Sequence, residues 1–553
     1  MGNESTSPPP RRDAKESKLL LKIDLLLMPL MTIAYGLQFY DKAILGSASI
    51  FGILKDMELS TVGPGGKVSL TRYSTATSAF YWGYLVAALP MALLVQKFKP
   101  SIFLGSAIVL WGSILLITPA ITHWKGLVAQ RFFLGFVESA VSPGFVLITR
   151  MWYKRDEQPV RLGIWYSATG LFSIFSGLVN YGLGKAGSQP GSKLADWKYM
   201  FLFAGSLTVV FGFILMVLLP ASPVSDPILR LNRYNVLDGE ERNLAVRRIR
   251  TNFVGSSQLS KRGSNELSEE EEVQLQKALS SNQTRWEWDQ AKEAMMDYKV
   301  WIFFLQAISI YICNGGVTAF GAYIIKSFGY SSVRSIVLQT PGGATTALSI
   351  YLSTYLARRV PNSRSILLCL TCLPVMTGAI LIWKGDWSNR AIPLAGYYLL
   401  PIFGAPFVLM LSLSTANIAG STKQSITAAM IFVGYNVGNI VAPYLTKADQ
   451  AKIHYRDTFV AIITCMCITI GLTALLCVGM ATQNRKRKLN PTGGQTLGIG
   501  EIPAKVLEEE QEDRVGSNQK VEGQVESGEK IQLEKVAAGL LTDWENPNFR
   551  YVF

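Results

Sequence analysis

Of the 553 residues, 49% are hydrophobic and 17% charged, and the formal net charge is +14 with a mean hydropathy of +0.24. A soluble domain of this size does not stay dispersed with so apolar a composition, so the chain reads as a polytopic membrane protein. The six cysteines all fall in apolar segments and the two histidines in short connections, which argues against a disulfide framework, a metal site or any cofactor.

The first 18 residues are polar and rich in Pro, Ser, Lys and Arg, without the apolar core of a secretory signal, so an uncleaved cytosolic amino terminus is expected. Taking about 20 apolar residues per crossing, the chain carries twelve candidate helices. They centre on 23–45, 73–96, 102–121, 126–149, 161–184, 198–220, 298–325, 335–357, 365–384, 391–413, 424–446 and 457–481. The expected fold is therefore an all-α membrane protein of two six-helix halves, 23–220 and 298–481. A cytosolic segment 1–22, a cytosolic linker 221–297 and a mostly disordered cytosolic tail 482–553 complete the organisation. Lys97 and Lys99, Arg150 with Lys154, Arg155 and Arg161, and Arg358, Arg359 and Arg364 cluster on one set of connections, and the tail opens with Arg485, Lys486, Arg487 and Lys488. The positive-inside rule puts that side and both termini in the cytosol. The excess positive charge is then a topological signal, and no nucleic-acid partner is expected.

A shift of 261 residues lays the later spans of the first half over those of the second, and "QKFKP" falls on "ARRVP". Two repeated halves around a central cavity are the architecture of transporters that rock about a midplane site. The charges do not repeat. Asp41, Lys42, Arg131 and Glu138 interrupt apolar surroundings in spans one and four, whereas the positions 261 later are Ile302, Phe303, Ile392 and Leu399. An ionised side chain in lipid costs on the order of 3 kcal/mol, so these four groups need partners, water or a function. Arg131 and Glu138, seven residues apart, share a helix face, and Asp41 sits at the height of Arg131 when both are measured from the basic ends of their helices. The expectation is an Asp41–Arg131 ion pair, with Glu138 deeper. A carboxylate substrate would then compete for Arg131 and Lys42 and free Asp41 or Glu138 to take a proton. Gln306, Tyr311 and Asn314 on span seven, Asn417 on span ten and Asn436 on span eleven are the polar candidates to complete the cavity.

At these residues the chain resembles the major facilitator superfamily and, within it, the anion:cation symporter family. Asp41-Lys42 is followed by "GSASIFGILKDMELS", span four reads "RFFLGFVESAVSPGFVLITRMWYKRDEQPVRLG", and the second half contributes "NGGVTAFGAYIIKSFGYS" and "STANIAGSTKQSITAAMIFVGYNVGNIVAPYL". With the ending "TDWENPNFRYVF", these are similar to the fungal allantoate permease subfamily. Span two departs from that pattern, with Ala87, Ala88 and Leu89 before the proline. The resemblance implies proton-linked uptake of an organic anion such as allantoate, ureidosuccinate or nicotinate at the plasma membrane, by a monomer. Asp41 and Glu138 would be the proton-coupling carboxylates; Arg131, Lys42, Gln306, Asn314 and Asn417 would bind the substrate. The alternative is a nutrient receptor on the same fold that binds without transporting. No nucleophile-and-base pair or phosphate-cradling loop supports an enzyme.

Overall fold

The computed structural model describes residues 14–62, 68–154, 157–187, 194–220, 223, 237–250, 287–360, 362–489, 542–544 and 551–553. In the first half, span one is Ala14–Ala48, span two Thr71–Lys97, span three Pro100–Ile117 and span six Asp196–Leu218. Span four is Trp124–Glu138 followed by Val141–Trp152, and span five is Gln158–Tyr166 followed by Ala168–Gly187. In the second half, span seven is Tyr298–Ser327, span nine Arg364–Lys384, span eleven Ser421–Leu445 and span twelve Arg456–Leu489. Span eight is Ser332–Val337 with Thr340–Arg359; span ten is Ala391–Leu399, a 3-10 turn Leu400–Phe403 and Gly404–Asn417. Among the described residues the β-structure is one two-residue pair, Thr61–Val62 against Val68–Ser69, between spans one and two.

Ten of these helices are long and apolar enough to cross a bilayer, and an eleventh counts if Trp288–Met296 and Tyr298–Gly315, bent by 64°, form one span. Span eight falls short because its main helix reads TPGGATTALSIYLSTYLARR. Thr345 and Thr346 face protein: Thr346 Oγ1 donates to the Pro401 carbonyl at 3.0 Å, and Thr345 Oγ1 donates to the Tyr398 carbonyl at 2.7 Å. Leu348, Leu352 and Tyr355 stay exposed on the opposite face, so only that part of the helix needs a lipid-facing composition.

The breaks inside spans four, eight and ten have a common cause. Proline clashes with the carbonyl four residues back and removes one N–H, so Pro143 acts on Ser139, Pro341 on Val337 and Pro401 on Tyr397. Span four is interrupted at 139–140, span eight at 338–339, and span ten passes through its 3-10 turn at 400–403. The loosened turns of spans eight and ten lie beside the cavity described below, where irregular backbone is tolerated.

Small residues set the helix spacing. A Cβ on Gly83 would stand 1.9 Å from the Phe132 carbonyl oxygen, and one on Gly135 would stand 1.9 Å from that of Phe80, so spans two and four meet backbone to backbone. Within the halves, span one packs on span five, three on six, seven on eleven and nine on twelve, while spans two with eleven and five with eight join one half to the other. The five–eight seam is close: a Cβ on Gly170 would lie 2.4 Å from the Gly343 carbonyl oxygen, and the reverse holds for Gly343.

One end of the bundle, here the linker face, carries the helices Gly239–Arg250 and Trp288–Met296. Arg248 pairs there with Glu16 at 2.8 Å and Glu157 at 2.7 Å, Lys154 with Glu16 at 2.6 Å, and Lys22 with Glu241. These partners explain why span one starts at Ala14 rather than near residue 23: its polar first turns are held by protein. Most of the tail lies outside the described residues. Its described parts, 542–544 and 551–553, pack against the linker face of the second half, in a tail that the sequence reads as mostly disordered.

Candidate functional site

A cavity of about 80 Å³ lies between the halves, lined by spans one, five, seven, eight, ten and eleven. Its span-one wall is Tyr35, Gln38, Phe39, Lys42 and Ala43, a stripe with helical spacing of three, four and seven. Tyr166, Tyr311, Tyr397 and Tyr435 add aromatic walls, and Asn314, Gln339 and Thr346 add polar groups. Lys42 is the sole ionisable cation among the described residues that line it.

Successive residues on a helix point about 100° apart, so Asp41 and Lys42 cannot share a direction. Lys42 faces the cavity, while Asp41 turns into the first half and is 1% exposed. The Lys42 ammonium lies 2.6 Å from Glu138 Oε1 and 5.1 Å over the Phe80 ring, so spans two and four fix its position. Glu138 closes the helix Trp124–Glu138, whose C-terminal end carries partial negative charge, and it is completely buried. A carboxylate placed there needs a cation, and Lys42 supplies it.

Arg131 is 2% exposed and sits with its guanidinium 5.8 Å from the Phe201 ring of span six. It lies in the electrostatic field of Asp41 and Glu138, but the expected Asp41–Arg131 ion pair does not form; the direct contact is Lys42–Glu138 instead. Rotation around span one is the reason. With Lys42 aimed toward span four at the level of Glu138, Asp41 is buried beside the pair and acts on Arg131 through its field rather than by a direct contact.

Of the span-seven candidates, Tyr311 and Asn314 line the cavity, and Asn314 Nδ2 donates to Asn439 Oδ1 at 2.8 Å. Gln306, five residues before Tyr311, turns to span twelve and donates to Thr473 Oγ1 at 2.9 Å. Asn417 lies outside the cavity. Its Nδ2 donates to the Val552 carbonyl at 2.8 Å, and its Oδ1 accepts the Val552 N–H at 2.7 Å. Asn436 is buried and donates to the Phe432 carbonyl at 2.6 Å on its own helix. Gln38 and Tyr35 are among the lining residues that sequence reasoning passed over, together with Tyr166, Gln339, Thr346, Tyr397 and Tyr435, although the spacing of the first two, four and seven from Lys42, marks the same face.

At the end of the bundle away from the linker face, span two is bonded to span eleven: Ser74 Oγ donates to the Pro443 carbonyl and Ser78 Oγ to that of Ile440, each at 3.0 Å. Toward the linker face, the Tyr166 hydroxyl bonds to that of Tyr311, and the Tyr166 ring lies 5.4 Å from Phe407. Hydrogen bonds and ring contacts between the halves stand at both ends of the cavity. Such contacts can exchange as two rigid halves rock.

The sequence profile of the Major Facilitator Superfamily matches residues 27–443. The chain belongs to that superfamily. It is thus a membrane transporter of small molecules and not an enzyme. It is 32% identical to the uncharacterized transporter C757.13 of Schizosaccharomyces pombe, over 86% of this chain and 82% of that protein. With the allantoate permease of Saccharomyces cerevisiae it shares 28% identity over 97% of this chain and 86% of the permease. The thiamine pathway transporter THI73 of the same yeast is 27% identical over the same shares. Among solved structures, the proton:xylose symporter XylE aligns with a TM-score of 0.60 at 14% identity, covering 83% of this chain and 96% of XylE, which bears on the fold alone.

Proposed function

We propose that the transporter imports a small organic anion together with protons, across the plasma membrane, with both termini in the cytosol and as a monomer. The observation that carries this reading is Lys42, the cation on the cavity wall, held 2.6 Å from the fully buried Glu138 carboxylate. An anion entering the cavity competes with Glu138 for Lys42. Once Lys42 turns to the substrate, Glu138 is a buried carboxylate without its cation, a situation that costs several kcal/mol unless the group is neutralised. Binding a proton neutralises it, so anion and proton load together. Asp41, as deeply buried as Glu138 and without an ion-pair partner among the described residues, is the second carboxylate open to a proton, and Arg131 joins the substrate shell only if the halves rearrange. Asn314, Gln38 and the tyrosines orient the rest of the molecule, with aromatic faces for a planar ureido or pyridine group and hydroxyls for its polar edge. The likeness to a permease named for allantoate supports a ureido carboxylate as the first compound to try.

The test is uptake of labelled allantoate, ureidosuccinate and nicotinate by cells expressing the protein, at acidic and neutral external pH, with and without a protonophore. Accumulation that rises with acidity and collapses with the protonophore is the expected result. Transport of neutral or cationic compounds in preference to every carboxylate would overturn the anion reading, and binding without accumulation at any pH would overturn symport.

A further inference from the structure

The most heavily charged buried cluster of the second half lies far from the cavity and plays no part in the exchange above. At the linker face Lys299 and Lys423, both fully buried, contact Asp297 at 3.1 and 2.7 Å, and Lys423 also contacts Glu293 at 2.7 Å. Asp543, from beyond the twelve spans, enters between the two lysines. Its Oδ2 lies 2.6 Å from Lys299 Nζ and its Oδ1 2.7 Å from Lys423 Nζ, and it has no solvent exposure.

The rest of the described tail is held as specifically. Tyr551 donates its hydroxyl to Asp543 Oδ2 at 2.9 Å, and Lys299 stands 4.4 Å from its ring. Trp544 lies under Lys423 at 4.8 Å, while Arg487 donates to the Asp543 carbonyl at 2.8 Å and covers the Tyr551 ring. Side-chain amides then read the tail backbone in pairs. Asn484 exchanges two bonds with Tyr551 at 3.0 and 3.1 Å, Asn417 exchanges two with Val552, and the Arg364 N–H donates to the Phe553 carbonyl at 3.2 Å. Paired amide–backbone bonds, an acid between two lysines and aromatic rings against cations are features of a peptide-recognition site.

We propose that the linker-face end of the second half is a binding site for an acidic, aromatic peptide segment, and that the described tail residues 542–544 and 551–553 of this chain are its occupant, a detachable latch. The residues that grip it come from the start of span seven, the start of span nine, the end of span ten, the start of span eleven and the end of span twelve, so docking ties five helix ends together. Detachment leaves no orphaned charge. Lys299 retains Asp297, and Lys423 retains Asp297 and Glu293, so the empty site stays electrically paired, and Asp543 goes back to water. The 52 residues 490–541 that join span twelve to the segment supply the length for release. The first half has a counterpart in the linker helix Gly239–Arg250, whose Arg248 enters between Glu16 and Glu157 on the same face. Each rocking half is thus clasped by a segment outside its six spans, with opposite charge at the point of entry.

A protease site introduced between residues 520 and 530 allows the tail to be severed after the full chain has folded. The severed protein is then separated from the released tail, and a fluorescein-labelled peptide of residues 540–553 is added. Expected are saturable binding, binding at least about tenfold weaker for the Asp543→Asn peptide, and a thermal midpoint that falls on severing and recovers with the intact peptide. Co-elution of the severed tail with the spans at neutral pH supports the same conclusion. Absence of peptide binding together with complete tail release and an unchanged midpoint would overturn the proposal, as would equal binding of both peptides. None of these readings needs a transport substrate, so they stand apart from the test of anion symport.

Discussion

Lys42 and Glu138 concentrate the chemistry of the cavity in one contact. Because Glu138 ends a helix in complete burial, its charge depends on Lys42, and its proton uptake is coupled to whatever removes Lys42. Glu138→Gln keeps the shape and hydrogen-bonding capacity but cannot ionise. The expected outcome is loss of proton-driven accumulation, with the internal-to-external ratio falling to about one, while exchange of labelled for unlabelled substrate continues. Uptake and counterflow in proteoliposomes measure the two separately. Lys42→Gln removes the cavity cation, and a carboxylate substrate should then bind roughly 10- to 100-fold more weakly, as expected for loss of a charge-assisted bond worth about 1.5–3 kcal/mol. A neutral amide analogue of the same substrate should be affected far less. Gln38 and Tyr35 were legible in the sequence as members of the Lys42 stripe. The rotation that sends Asp41 inward was legible too, since neighbours on a helix diverge by about 100°. What neither residue type nor spacing could supply was the identity of the partner, because that depends on how spans one, two and four are rotated against one another.

At the scale of elements, glycines and prolines decide how closely the spans approach and where they break. Gly83 and Gly135 place spans two and four in backbone contact, and this contact positions Glu138, three residues beyond Gly135, beside Lys42. Gly135→Ala would drive a Cβ to 1.9 Å from the Phe80 carbonyl oxygen, so the two helices must separate. The expected cost is about 1–3 kcal/mol or more, seen as a lowered thermal midpoint of the purified protein, with weakened coupling as the Lys42–Glu138 distance grows. All twelve candidate spans are read from hydropathy and the rule of about 20 apolar residues, and ten or eleven of the described helices are long and apolar enough to cross by themselves. Span eight shows why that rule weakens inside a bundle, because one face of the helix lines a cavity and a seam between halves, while Leu348, Leu352 and Tyr355 stay exposed on the other. The proline breaks follow directly from local sterics.

For the whole molecule, the two halves share a plan but differ in charge. The first carries Asp41, Lys42, Arg131 and Glu138 near the cavity, whereas the second concentrates its buried ions at the linker face around Asp543. Burial pushes the Asp543 carboxyl upward, but Lys299 and Lys423 outweigh it and hold its pKa below the ordinary carboxylate value. Glu293, Asp297, Arg487 and Tyr551 complete its surroundings. A depressed carboxylate stabilises the docked state at pH above its undocked pKa, and the contribution fades as pH falls through the lowered value. The difference in thermal midpoint between wild type and Asp543→Asn should therefore hold steady from about pH 5 to 8 and shrink below about pH 4. A midpoint scan of both proteins across pH checks this, and a difference that grew on acidification would contradict the sign.

Sequence by itself determined the membrane class, the two-half plan, the family resemblance and the four charges that apolar surroundings could not explain. Those are local properties: hydropathy, helical period and the cost of an ion in lipid act on each segment wherever it later packs. Only the tertiary structure decided that Glu138 pairs with Lys42, that Gln306 serves span twelve, and that Asn417 grips the tail rather than the cavity. It also brought Asp543 244 residues back along the chain to Lys299. Partnerships of that kind depend on helix rotation and on contacts across long sequence separations, which no periodicity within a single segment encodes.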